Sequence, residues 1–146
     1  MNPLLQVCLL SGGDSRRMGR DKALLPHPDG GVWLTAIVDQ LLPLELPVQV
    51  VSRHQTHADQ LAHRSDVRVL LEPPPWSGPL NALARVLPST PGQAVLVLPV
   101  DMPRLRTDTF RQLIMAWQCK PDRIAVAHDG ERLQPLLAVI LSLIHI

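Results

Sequence analysis

The sequence predicts a three-layer α/β/α domain built around a mostly parallel sheet. Short apolar runs, typical of strands buried on both faces, alternate with segments in which apolar residues recur at helical spacing. The chain has 146 residues, of which 46% are hydrophobic, and this suits one globular domain with a sizeable core. Fifteen prolines are scattered between the segments, where they mark the ends of elements.

The first half of the chain contains three predicted strands and two predicted helices. An apolar run at residues 6–10 ends in Ser-Gly-Gly, which is typical of a buried strand followed by a turn. Apolar residues recur at helical spacing from Trp33, and Pro43 ends the helix predicted over residues 32–42. The elements that follow are a strand at 48–51, a helix at 55–63 and a strand at 67–71.

The second half continues the same alternation. A helix is predicted over residues 79–87, because proline is tolerated in a first helical turn, and a strand over residues 94–98. Thr107 is a good N-cap for an amphipathic helix that extends through Trp117. The last predicted strand covers residues 124–127.

Three polar loops follow predicted strands, at residues 11–22, 72–78 and 99–103. In open parallel sheets, ligands bind in the crevice at the carboxyl ends of the strands. We therefore expect all three loops to face one crevice.

The first of these loops contains the segment LLSGGDSRRMGRDK, residues 9–22. Gly12 and Gly13 have no Cβ, so the backbone can approach a base or a phosphate closely. Arg17 and Lys22 add positive charge suited to a triphosphate. The spacing matches neither the P-loop nor the GxGxxG fingerprint, and the alternative is a basic surface turn in which the glycines serve only geometry. The pattern favours an anionic nucleotide.

Asp101 follows the apolar run at residues 94–98 and lies between Pro99 and Pro103. A carboxylate held beside a triphosphate site suits Mg²⁺, which takes one or two carboxylates together with phosphate oxygens. The alternative is an aspartate that caps a helix or forms an Asx-turn. Proximity to the glycine-rich loop favours the metal.

Several motifs together carry a family resemblance: LSGG, SRRMG and DKALL in the first loop, then SRHQ, GPL, LPVDMP, and HDGER with QPL. In this order they resemble the molybdenum cofactor guanylyltransferase family, and they cover nearly the whole chain up to Val139. The resemblance implies a Rossmann-like nucleotidyltransferase fold of the glycosyltransferase-A type. It also implies an enzyme that transfers GMP from GTP to the terminal phosphate of molybdopterin and releases pyrophosphate.

The same resemblance implies the roles of individual residues. Lys22 and Asp101 are expected to be catalytic, and Asp101 is the expected Mg²⁺ ligand. Ser52 lies where the family often has asparagine near the base, and Glu72 lies where it usually has aspartate; an exposed loop carboxylate is the alternative for Glu72. The expected nucleotide contacts are Leu10, Ser11, Gly12, Gly13, Arg17, Lys22, Ser52, Glu72 and Asp101.

Three other functions remain open. A cytidylyltransferase of the same pathway usually has Ala before a single Gly where this chain has Gly12 and Gly13. A sugar-phosphate nucleotidyltransferase is a second alternative, because it shares the fold. The third is a protein that binds GTP without catalysing a reaction. Besides GTP and molybdopterin, the resemblance implies cofactor-insertion proteins and molybdoenzymes as partners.

Composition excludes some partners and suggests a location. A net charge of +1 with 18% charged residues favours neither a nucleic-acid nor a membrane-surface binder. Two cysteines are too few for a disulfide framework or a zinc site, which fits a reducing cytoplasm, and Cys119 has no evident base partner. No apolar stretch approaches the roughly 20 residues needed to cross a bilayer.

The remaining conspicuous residues have structural interpretations. His54, His57 and His63 are expected to be solvated on a surface helix, while Trp33 and Trp117 are expected to pack on the sheet. Trp76 either shields its loop or covers a pterin.

The end of the chain departs from the family pattern. Residues 1–140 are expected to form the nucleotidyltransferase domain, incomplete at its C-terminus, and residues 141–146 an atypical tail. The apolar run at residues 136–143 is then expected to be partly uncovered, with acceptor binding the first function lost.

Overall fold

The protein forms an α/β domain whose computed structural model describes residues 5–11, 21–75, 78–88, 92–102 and 105–141. Each strand and helix predicted from the sequence is present, with ends displaced by a few residues. The strands are β1 (Leu5–Leu10), β2 (Val48–Ser52), β3 (Val67–Leu71), β4 (Ala94–Pro99), β5 (Ala125–His128) and β6 (Leu133–Leu141). The helices are α1 (Trp33–Leu41), α2 (Gln55–Gln60), α3 (Pro79–Ala84) and α4 (Thr107–Cys119), with short 3₁₀ turns at Lys22–Leu24 and Leu42–Leu44.

The six strands form one mixed sheet in the order β3-β2-β1-β4-β6-β5. The first four are parallel, since β1 pairs in parallel with both β2 and β4, and β2 pairs in parallel with β3. Only β6 runs against its two neighbours. The predicted α/β class with a mostly parallel sheet is confirmed. The strand order reverses at β1 and β4, and such a reversal creates a crevice at the carboxyl ends of the strands.

Core side chains cover both faces of the sheet, as the three-layer prediction requires. Alternate strand residues point to opposite faces, so one face packs against α1 and α4 and the other against α3. Phe110 and Trp117 of α4 are buried in the first core, which confirms the prediction for Trp117. Trp33 is half-buried, with its ring edge-to-face against His27, and Trp76 lies outside the described residues.

The apolar run at residues 136–143, which was expected to be partly uncovered, is described for residues 136–141, where Leu136 and Ile140 are partly exposed and the other four residues are buried. This part belongs to β6, which lies between β4 and β5, and Leu137, Ala138 and Val139 are buried. The turn before β6 is closed by Asp129, whose carboxylate accepts backbone hydrogen bonds from Arg132 and Glu131. Those bonds lower the pKa of Asp129 to about 2.

The two cysteines lie in different environments. Burial, with a smaller contribution from the charge of Glu72, raises the pKa of the Cys8 thiol to about 12, so this thiol stays protonated near neutral pH. Cys119 is exposed at the end of α4. Within the described ranges, no helix combines the length and apolar character needed to span a bilayer.

Candidate active site

Four parallel strands end at the same edge of the sheet, which we call the carboxyl edge. Backbone hydrogen bonds join neighbouring strand exits: Val100 N–H to the carbonyl of Leu10 (3.1 Å), Ser11 N–H to that of Val51 (2.9 Å) and Glu72 N–H to that of Ser52 (2.8 Å). The register of β1 and β4 pairs Leu10 with Pro99, so the chain leaves both strands side by side. In the described residues the three polar loops thus leave the sheet at one edge, and the expectation that they face one crevice stays a prediction.

His57, on α2, is the buried centre of this edge. Its Nδ1 lies 3.0 Å from Ser11 Oγ and 2.8 Å from Ser52 Oγ, while its Nε2 lies 2.6 Å from Asp21 Oδ2. The side chain is fully buried, so the prediction that His57 is solvated is wrong. Burial lowers the pKa of His57 below its ordinary value, against the opposing effect of Asp21, and this favours the neutral ring.

Asp21 places Lys22 at the same edge. One carboxylate oxygen of Asp21 accepts from Ala23 N–H at 3.1 Å and caps the turn Lys22–Leu24, while the other oxygen contacts His57. Lys22 directly follows Asp21, so these two hydrogen bonds of Asp21 fix where the backbone of Lys22 lies. The side chain of Lys22 is partly exposed.

Glu72 follows β3 and turns inward. Its carboxylate lies 3.3 Å from Arg85 Nε of the segment that ends α3, and its side chain is only 11% exposed. This excludes the alternative of an exposed loop carboxylate. The ion pair leaves Glu72 at the carboxyl edge, beside Ser52.

Ser52 is completely buried at the end of β2. Its hydroxyl oxygen accepts from His54 N–H at 3.0 Å and lies 2.8 Å from His57 Nδ1. The described contacts therefore give Ser52 a role in holding His57, and its contact with a nucleotide stays a prediction.

Asp101 lies in the turn after β4, two residues beyond Pro99, and is exposed. An accessible carboxylate at a strand exit is a donor of the kind Mg²⁺ takes, because this ion prefers oxygen ligands and retains water. Gly12, Gly13 and Arg17 lie outside the described residues, so their expected roles stay predictions.

A second set of side chains could hold a metal ion. Ligand atoms of Asp21, His54 and His57 lie within 4.8 Å of one another, and no other group of this kind is found among the described residues. Two imidazoles with one carboxylate suit a transition metal better than Mg²⁺. The residues that fit Mg²⁺ and those that fit a softer ion are thus separate.

An apolar cleft of about 670 Å³ lies at the opposite edge of the sheet. It is lined by residues at the start of β1 and before β2, such as Leu5 and Leu46, and by the end of α4, including Trp117. Arg111 is the only charged residue in its described lining. An apolar lining of this kind is poorly suited to a triphosphate, so the carboxyl edge is the better candidate for a nucleotide site.

The family model for the MobA-like NTP transferase domain matches residues 7–144. The chain belongs to this family. It is therefore a nucleotidyltransferase, and the match includes β1 from Val7 onwards and all of β2 to β6.

Individual relatives agree with this assignment. A probable molybdenum cofactor guanylyltransferase of Rhodopirellula baltica is 41% identical over 143 residues, covering 94% of this chain and 67% of the relative. A molybdenum cofactor guanylyltransferase of Shewanella baltica is 29% identical over 143 residues, covering 96% of this chain and 70% of the relative.

Solved structures show the same fold. The molybdopterin-guanine dinucleotide biosynthesis protein A of Archaeoglobus fulgidus superposes with a TM-score of 0.64 at 19% identity, covering 93% of this chain and 67% of that one. A Mycobacterium tuberculosis protein solved in complex with manganese gives a TM-score of 0.71 at 19% identity, covering 98% of this chain and 73% of that one. The nucleotidyltransferase fold expected from the resemblance is confirmed.

Proposed function

We propose that this chain transfers GMP from GTP to the terminal phosphate of molybdopterin, giving the guanine dinucleotide form of the cofactor and pyrophosphate. The observation that carries the proposal is the shared edge: the exit of β1 and Asp101 follow neighbouring parallel strands, and Lys22 follows Asp21, which contacts His57 at the same edge. The names of the guanylyltransferase relatives support the substrates.

The reaction needs positioning and charge neutralisation more than bond-breaking side chains. An oxygen of the molybdopterin phosphate attacks the α-phosphorus of GTP, and the bond from that phosphorus to the bridging oxygen of the β-phosphate breaks. Pyrophosphate leaves with the bonding electrons. Since the attacking oxygen is already anionic, no general base is required, and the ammonium of Lys22 offsets the negative charge that gathers around the triphosphate.

A divalent cation is part of the proposal. Asp101 supplies the accessible carboxylate that would hold Mg²⁺, and the bound ion would neutralise phosphate oxygens of the donor. The manganese complex of the Mycobacterium tuberculosis relative supports the use of a divalent ion by this fold. Asp101 would hold the ion in the turn after β4, next to the exit of β1.

The contacts to the guanine base and the partner proteins are proposed from the family resemblance and from the names of the relatives. Gly12 and Gly13 are proposed to lie against guanine. The other proposed nucleotide contacts are Leu10, Ser11, Arg17, Ser52 and Glu72. Molybdopterin is the acceptor, and molybdoenzymes with their cofactor-insertion proteins receive the product. A comparison of GTP with CTP binding discriminates between guanylyl and cytidylyl transfer.

Asp101→Asn tests the metal role. We expect the rate of pyrophosphate release from GTP, with Mg²⁺ and molybdopterin present, to fall by roughly tenfold to a hundredfold, because an amide binds a divalent ion more weakly than a carboxylate. The matched control is Asp122→Asn, at an exposed aspartate beyond α4, which should retain the parent rate. Equal activity of Asp101→Asn and the parent, or full turnover without any divalent ion, would disprove the role.

A further inference from the structure

The imidazole of His57 joins two segments that are far apart in the sequence. Ser11 is the first residue after β1, and Asp21 directly precedes the turn that begins with Lys22. The two ring nitrogens lie 3.0 Å from Ser11 Oγ and 2.6 Å from Asp21 Oδ2. One buried side chain therefore contacts the residue that opens the first loop and the residue that closes it.

Both ring nitrogens of His57 are fully used in these contacts. The carboxylate of Asp21 accepts hydrogen bonds, so the partners assign the hydrogen of the neutral ring to Nε2. Nδ1 is then the acceptor, and its one lone pair faces both serine hydroxyls; the Ser11 hydroxyl is also placed to donate to the carbonyl of Val51 at 3.5 Å. His54 N–H donates to Ser52 Oγ, which leaves the Ser52 hydroxyl hydrogen free to point at Nδ1. While these contacts are made, neither nitrogen is available to a substrate, and a metal ion on His57 would have to displace one of them; His57 therefore acts through its partners.

We infer that His57 is a positioning residue, which fixes Ser11 and Asp21 relative to each other and thereby sets the place of Lys22 in the donor site. The inference rests on the proposed function, since it assigns His57 to the binding of GTP. Asp21 transmits the constraint, because the same carboxylate that accepts from His57 also caps the turn containing Lys22.

Kinetic measurements on variants of His57 distinguish a positioning role from a purely structural one. A histidine that only fills the core would, when replaced, lower the melting temperature and leave the kinetics of the folded enzyme unchanged. Loss of a donor-site constraint instead raises KM for GTP and leaves KM for molybdopterin at the parent value.

The test compares His57→Phe, which keeps a buried ring without hydrogen-bonding groups, with His57→Gln, whose longer amide can still donate to Asp21. His63→Phe makes the same change at an exposed histidine. At a temperature where circular dichroism shows each variant folded, we expect His57→Phe to raise KM for GTP about tenfold or more. His57→Gln should recover part of the loss, and His63→Phe should match the parent. An unchanged KM for GTP, or an equal rise in both KM values, would overturn the inference.

A second measurement does not depend on catalysis. Trypsin cuts after Arg16, Arg17 and Arg20, which lie in the sequence between Ser11 and Asp21. If the parent neither binds GTP nor releases pyrophosphate, the proposed function fails, but faster cleavage at these sites in His57→Phe still supports the anchoring of both loop ends. Equal cleavage rates in parent and variant would refute it. Should His57→Phe not fold, His57→Asn, which is too short to reach Asp21, replaces it in both measurements with the same expected direction.

Discussion

Lys22→Gln should lower kcat/KM for GTP by about a hundredfold to a thousandfold, the size of effect seen when one preorganised electrostatic group is removed from a reacting centre. Lys22 is the residue after Asp21, whose carboxylate caps the turn Lys22–Leu24 at the edge where β1 and β4 end. Gln keeps much of the length and polarity of the side chain but not its charge. Initial rates of pyrophosphate release over a range of GTP concentrations give the comparison.

The sequence supplies a matched control, because its only other lysine, Lys120, is exposed at the end of α4. Lys120→Gln makes the same charge change outside the site and should leave kcat/KM unchanged. Lys22→Arg should restore part of the activity, since guanidinium keeps the charge but differs in shape. Comparable losses in Lys22→Gln and Lys120→Gln would mean that net charge matters rather than the position of Lys22.

Phe110→Ala should reduce the free energy of unfolding by about 3–5 kcal/mol, the usual cost of truncating a buried aromatic residue to alanine. Phe110 lies on α4, is fully buried and belongs to the core between this helix and the sheet. The cavity left by the ring would be surrounded by strand residues that cannot collapse far. Urea unfolding followed by circular dichroism measures the change.

Met115 on the same helix is the control for Phe110. It is 63% exposed, so Met115→Ala should change the free energy of unfolding by less than about 0.5 kcal/mol. A loss in Phe110→Ala no larger than that in Met115→Ala would show that α4 does not pack on the sheet as described.

The positions of the first five strands along the chain were predictable because each is a short apolar run bounded by turn residues. The sixth strand was missed for a physical reason. It contains Pro135, which disfavours a strand interior, and its apolar end was interpreted as an uncovered run. Its place between β4 and β5 depends on a hairpin closed by Asp129, and pairing across such a turn is not visible in the period of the apolar residues.

The placement of Ser11 and Glu72 at the carboxyl edge was predictable because each residue directly follows a strand. The role of His57 was missed because three histidines in one helical segment suggested a solvated face. Leu61 gave a usable signal: it lies four residues after His57, on the same side of the helical segment, and both are buried. The hydrogen bonds of His57 to Ser11 and Asp21 are tertiary contacts, which no local pattern reveals.

The most direct test of the nucleotide site at the carboxyl edge is amide hydrogen exchange, followed by mass spectrometry, with and without GTP and Mg²⁺. We predict slower exchange on GTP addition in peptides that cover the exits of β1, β2 and β4 and the turn Lys22–Leu24. Protection confined to peptides that line the opposite apolar cleft, around Leu46 and Trp117, or none at saturating GTP, would contradict it.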